Sequence, residues 1–315
     1  MNHLQAWGKY KDMSYDDLPA DVITVANQCI LDWFGCAIAG STEPLADILR
    51  KVFAHRSGRC SVIGSDLKLD AQTAGLLNGA SGHALDYDDT GARTQCHGTA
   101  PVIPAVLAVA EEIGASGREL ITAFVVGVEI EGRIAHAMGG DHYGRGWHTT
   151  ATFGTFGATA AVAHLLRLND ETYGIAMGLG ASHASGVKAN FGTMTKPLHI
   201  GQCARSGVLA ARLAAKGFTA NPHALEAPQG FLEVYNGPGN YLIDRMLDQW
   251  FDPPLVLSPG ISLKQFPCCG STHPAIFAAI GLRERHQLDH CRIRSIEILT
   301  HPRRLPHTNQ PHPQT

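Results

Sequence analysis

Apolar residues along this chain recur mostly at intervals of three and four, the spacing that lines one face of a helix. Between residues 18 and 40, Val22, Val25, Cys29, Ile30, Trp33, Phe34, Ala37 and Ile38 form such a stripe, and Gly40 is a natural stop. The same reasoning predicts helices over 45–53, 71–83 (behind a capping Asp70), 101–113, 118–138, 149–168, 171–182, 200–216 and 274–286. Only 60–63 and the alternating 292–299 read as strands, too few for a central sheet. Small residues within the helices, such as Gly154, Gly157, Ala204 and Gly207, let helix backbones approach closely. The expected fold class is therefore mainly α, with one large all-helical domain over 1–270. The second strand has no partner and is followed by a Pro- and His-rich tail. Residues 271–315 are accordingly expected to be the incomplete beginning of a smaller α+β domain.

Composition narrows the partners. With 315 residues and 44% hydrophobic content the chain can fill a sizeable core, and its formal charge of -3 comes without a basic stripe, which argues against nucleic acid. No signal-peptide core follows the N-terminus, and Ala-rich stretches are interrupted by residues such as His164 and Arg167. The expectation is a soluble, cytoplasmic protein without a membrane partner. The eight cysteines (29, 36, 60, 96, 203, 268, 269 and 291) include no Cys-x-x-Cys pair and are expected to pack mainly as small hydrophobes.

Four polar clusters interrupt this apolar pattern. The first, NGASGHALDYDDTGARTQCH, holds Asp86, Asp88, Asp89, Thr90, Arg93 and His97 at a helix end. Its carboxylates either orient a histidine beside an anion-holding arginine or form a solvated acidic loop. The second, HYGRGWHTT, places His148 at a helix start, where exposed amides favour an anion, although a lone histidine there also serves as a cap. The third, NFGTMTKPLH, sets Lys196 just ahead of a helix, against its dipole, and the fourth, SLKQFPCCGSTH, sets Lys264 between apolar residues. Despite seventeen histidines there is neither H-E-x-x-H nor an i, i+4 histidine pair with a carboxylate at ligand spacing, so no metal site is expected. Nucleotide-binding glycine motifs and a G-x-S-x-G elbow are also missing from the sequence.

Taken in order, LDWFGCAIAG, NGASGHALDYDDT, HGTAPVIPAVLAVAE, GVEI, GWHTTATFGTFGAT, NFGTMTKPLHIGQCARSGVLAA and KQFPCCGSTHPA resemble the MmgE/PrpD family through essentially the whole chain. That family includes 2-methylcitrate dehydratases, cis-aconitate decarboxylases and iminodisuccinate epimerases. The resemblance implies a large helical domain under a smaller α+β lid, a metal-free and cofactor-free site between them, and a homodimer. Matched position by position, the family's site residues fall on Asp86, Thr90, His97, His148, Lys196 and Lys264. Family chains are longer, in line with an incomplete second domain.

The implied chemistry is proton transfer beside a carboxylate of a small polycarboxylate. Charge develops on that carboxylate, so cations should wait there, a role given to Lys196 and Lys264. His97 and His148 would donate and accept the proton, Asp86 would orient a histidine, and Thr90, Arg93 and Tyr143 would contact substrate. Elimination of water, as in a 2-methylcitrate dehydratase, is the primary expectation. Epimerisation and decarboxylation are the alternatives on the same residues. Outside enzymes, the alternative is an inactive carboxylate-binding or dimerisation module.

Overall fold

The structure, a computed structural model, describes residue 4 and residues 7–91, 94–139, 141–246 and 251–308. Its helices of six residues or more are α1 (Ala20–Gly40), α2 (Pro44–Phe53), α3 (Ala71–Gly82), α4 (Thr99–Ile113), α5 (Gly117–Met138), α6 (Thr149–Leu165), α7 (Asp170–His183), α8 (Thr195–Ala215), α9 (Phe231–Asn236) and α10 (His273–His286). The fold is mainly α, as the spacing of apolar residues implies. Strands among the described residues are two-residue pairs: β1 (Cys60–Ser61) with β2 (Lys68–Leu69), and β3 (Thr90–Gly91) with β4 (Ile261–Ser262), both antiparallel.

The core is built around α6, which packs on α4, α5, α7 and α8, while α3 packs on α1, α4 and α8. Nearly every residue of α3 and α6 is buried, which is why neither shows a one-sided stripe in the sequence. Glycine makes the α3–α8 crossing possible. A methyl on Gly201 would stand 2.2 Å from the Leu76 carbonyl oxygen, and one on Gly79 would stand 3.0 Å from Gly201 Cα. One turn beyond Gly79 lies His83, and just before Gly201 lie Lys196 and His199, so this crossing draws chemically active side chains together.

Helix ends differ from expectation where tertiary context intervenes. Asp70 caps α3 through the Thr73 amide, and Asn169 caps α7 through the Thr172 amide. Helix α8 begins at Thr195, five residues before the expected start, with Pro197 inside its first turn, where a missing N–H leaves no bond unmade. α1 is long and apolar enough by length and composition to cross a membrane. In the structure its Val22, Ala26, Cys29 and Trp33 are buried in the core. Five cysteines are buried as expected, Cys268 and Cys269 are half-buried, and Cys291 is exposed.

The segment expected to form a strand over 292–299 has no strand partner among the described residues, and Ile296 and Leu299 are 71% and 89% exposed. None of the described side chains from 271 to 308 is buried. The alternating pattern supplies the apolar face of a strand but nothing to pair with it.

Candidate active site

Three long-range connections assemble the polar clusters. The β3–β4 pair aligns Thr90 with Ser262, and two residues further on Lys264 reaches back to Asp86. The loop before α4 is sewn to the start of α6, where the Thr149 hydroxyl donates to the Gln95 carbonyl and the His97 amide donates to Thr150 Oγ1 at 3.1 Å. The α3–α8 crossing brings His83 beside Lys196. Asp86 and Gln95 take left-handed backbone conformations (φ 49° and 56°) in the turns that aim the loop inward.

Two carboxylates organise the cluster. Asp86 Oδ1 accepts from Lys264 Nζ at 2.7 Å and lies 3.1 Å from Lys196 Nζ, while the Asp86 carbonyl takes a second Lys264 bond at 2.6 Å. Asp88 is fully buried, and both its oxygens lie 2.9 Å from His83 Nδ1. His97 Nδ1 is also 2.9 Å from Asp88 Oδ2, an ion-pair distance without hydrogen-bond alignment, and His97 Nε2 is 3.9 Å from Asp86 Oδ1. The His83 ring lies 4.7 Å from the His97 ring and 6.0 Å from the His148 ring, centre to centre. His148 and Lys196 share the Phe191 ring, His148 at 4.9 Å edge-on and Lys196 Nζ at 5.4 Å.

The charges follow from these contacts. Burial pushes Asp86 up, but Lys196, His97 and Lys264 outweigh it and hold the carboxyl well below its usual range. Asp88 is likewise held low against burial by His83 and His97. An ionised Asp88 only accepts, so the His83 proton sits on Nδ1. Burial takes His83 down to about 4, more than Asp88 raises it, so that ring is neutral. His148 is driven well below its ordinary value by burial and by His83, Lys196, His97 and His199. Burial, with Cys269 and Asp86 nearby, takes the Tyr143 phenol up to about 12. Lys188 covers the Tyr143 ring at 3.4 Å.

The structure therefore brings Asp86, His97, His148, Lys196 and Lys264 into one neighbourhood, with Tyr143 and Thr90 at its border. Arg93 lies outside the described residues. Asp86, expected to orient a histidine, has the lysines as its near partners, and Asp88 is the carboxylate that orients an imidazole, that of His83. The acidic loop is not solvated: Asp88 and Asp89 are buried. Asp32 on α1, pushed up to about 6 by burial and the Asp88 charge, backs the cluster from a helix whose sequence reads only as core.

Ligand atoms of His83, Asp86, Asp88 and His97 lie within 4.8 Å of one another, a grouping that could hold a cation. Lysine ammoniums already take Asp86 Oδ1, and His83 spans both Asp88 oxygens, so these donors serve the protein's own cations and imidazoles. A separate cavity of about 680 Å³ lies between Lys11–Asp16 and the ends of α5, α6 and α7. Its cations are paired, Lys11 with Asp170, Arg118 with Asp16 and Arg167 with Glu119.

A helical protein with two lysines, three neighbouring histidines and two ionised aspartates at one site is the class these observations define. The chain belongs to the MmgE/PrpD family: residues 9–242 match the MmgE/PrpD N-terminal domain. It is 30% identical to human cis-aconitate decarboxylase over 84% of this chain and 56% of that protein. The identity to cis-aconitate decarboxylase of Aspergillus terreus is 30% over 87% and 59%, and to the mouse enzyme 29% over 88% and 58%. The chain thus spans a little over half the length of these relatives.

Proposed function

We propose that this protein is a lyase that moves a proton beside a carboxylate of a small polycarboxylate, with decarboxylation of a cis-aconitate-like acid the favoured reaction. One observation carries the reading: two ammoniums within 3.1 Å of a single carboxylate oxygen, beside a neutral buried histidine. A substrate carboxylate can take the place Asp86 holds between Lys196 and Lys264, and those charges then stabilise the electron density that develops on it. His148, neutral and sharing the Phe191 ring with Lys196, is suited to moving the proton, and His97, at ion-pair distance from Asp88, to completing the exchange.

In decarboxylation, the departing CO₂ leaves its bonding pair, that pair shifts the double bond, and a proton delivered to the far carbon completes the product. Elimination of water from a 2-methylcitrate-like hydroxy acid needs the same groups, with the proton taken from carbon and returned to the leaving hydroxyl. The names of the similar proteins favour decarboxylation, and the family motifs support the dehydratase as a second reading. The family resemblance also supports a homodimer.

The test is NMR of the protein in D₂O with cis-aconitate, 2-methylcitrate or iminodisuccinate, beside a thermal-shift titration of each acid. Loss of CO₂ with deuterium at carbon supports the favoured reading. An alkene from 2-methylcitrate supports the second, and exchange without new product marks an epimerase. A thermal shift without turnover of any acid marks a carboxylate-binding module, and neither shift nor turnover removes the proposal.

A further inference from the structure

Lys188 precedes the NFGTMTKPLH segment and carries no motif of its own, yet the fold brings it to the edge of the site. Residues 146–148 and 186–188 run antiparallel around a Trp147–Val187 bridge. The Lys188 amide donates to the Gly146 carbonyl at 2.8 Å, and the His148 amide to the Gly186 carbonyl at 3.0 Å. Side chains alternate across such a ribbon, so Lys188, opposite Gly146, shares a face with His148 two residues along, and diagonal neighbours of this kind stand roughly 7–8 Å apart. The surroundings fix which way that face looks. A methyl on Gly186, opposite His148, would meet the His199 ring at 3.3 Å, and His199 Nδ1 is itself 3.2 Å from His148 Nδ1. Trp147 leaves by the other face, onto the Tyr235 ring at 4.4 Å. After Lys188 the chain makes one helical turn, Lys188–Asn190, and reaches Phe191, the ring that His148 and Lys196 share.

The Lys188 ammonium is half-buried, donates to the Tyr143 carbonyl at 3.1 Å and lies 3.4 Å from the centre of the Tyr143 ring. Among the described residues no carboxylate pairs with it, whereas Lys196 and Lys264 share Asp86. A carbonyl and a ring face orient an ammonium without neutralising it. Burial disfavours the charge and lowers its pKa, so an anion brought beside it relieves a cost that the folded chain carries. A polycarboxylate supplies that anion when one of its carboxylates already lies between Lys196 and Lys264. We infer that Lys188 is a second carboxylate-binding residue of this site, holding a substrate carboxylate other than the one taken by Lys196 and Lys264. The ligand class is then an acid with at least two carboxylates on a short carbon chain, and Lys188 selects it over monocarboxylates. The inference rests on the polycarboxylate reading given above.

The test is an NMR titration of the full chain with propane-1,2,3-tricarboxylate and with butyrate, which has the same three-carbon chain but one carboxylate. The unsubstituted protein should bind the tricarboxylate the more tightly. Lys188→Met should weaken the tricarboxylate by ~10- to 100-fold, the worth of a charge-assisted contact, and butyrate by less than ~2-fold. Lys188→Gln keeps a donor for the Tyr143 carbonyl without the charge and should behave as Lys188→Met does. Lys188→Arg should keep most of the affinity for the tricarboxylate. Full tricarboxylate affinity in Lys188→Gln would show that Lys188 only tethers the Tyr143 loop, and equal weakening of both acids would show a general disturbance; either overturns the inference and leaves the polycarboxylate reading standing. An unsubstituted protein that binds neither acid overturns both.

Discussion

Asp88 and Asp89 are adjacent and both buried, yet their surroundings treat their charges oppositely. Asp88 is held ionised by His83 and His97. Asp89 is pushed up to about 7 by burial, which outweighs the bonds from Thr99, with the Asp88 charge adding to the rise. In the unfolded chain Asp89 gives up its proton near its ordinary value of about 3.9, and in the folded protein only near neutrality. Between those values unfolding releases a proton. The folded state therefore loses stability as pH rises through this window, and the loss is complete above the folded value. At about 1.4 kcal/mol per pH unit, the ceiling is about 4 kcal/mol. Asp89→Asn cannot ionise, and its amide still offers an acceptor and a donor to Thr99. Urea denaturation across this range should show the variant gaining on the unsubstituted protein from about pH 4 to about pH 7, by up to that amount, and then holding level. Asp88→Asn should instead be less stable by about 1.5–3 kcal/mol near neutral pH, because it loses charge-assisted contacts to two imidazoles. A pH-independent difference for Asp89→Asn, or a stabilised Asp88→Asn, would refute this assignment of charges.

Gly201→Ala should lower stability by about 1–3 kcal/mol in chemical denaturation, since its methyl would press on the Leu76 carbonyl, and an unmoved midpoint would show that α3 and α8 are less tightly apposed. Steady-state kinetics should separate the roles at the site: His148→Ala lowers kcat by ~10²- to 10⁴-fold with little change in KM, whereas Lys196→Met raises KM first. A harmless His148→Ala would move the proton-transfer role to His97 or Tyr143. Because Asp86 Oδ1 and both Asp88 oxygens are engaged by lysines and imidazole, chelator should leave turnover intact, and activity lost to chelator and restored by a divalent ion would contradict that.

Most helices were legible because burial of one face imposes a period; α3 and α6, buried nearly all round, show no such stripe and were legible instead from their length, their small and apolar residues and, for α3, its capping Asp70. Helix starts were less so: Pro197 reads as a boundary, but a first helical turn has no use for the missing N–H. The site residues carried by motifs were visible as residue types, not as partners. DYDDT shows three aspartates, and only the folded loop decides that Asp86 meets lysines, Asp88 meets imidazoles and Asp89 turns inward to Thr99. His199 and Asp32 lie inside the quoted motifs NFGTMTKPLH and LDWFGCAIAG but were not singled out there, since one reads as part of a helix start and the other as a polar residue in a core stripe. The β3–β4 pairing of two residues across some 170 positions is likewise set by tertiary packing and leaves no pattern to read.

Lys196 and Lys264 are proposed as the carboxylate-binding end of the site. The most direct test of this is a crystal structure of the protein with propane-1,2,3-tricarboxylate, which carries three carboxylates but neither the double bond nor the hydroxyl needed for reaction. One carboxylate should lie within ~3 Å of the lysine ammoniums, with the carbon chain beside His148. A ligand bound instead in the cavity near Arg118 and Arg167, with the lysines still closed on Asp86, would contradict it.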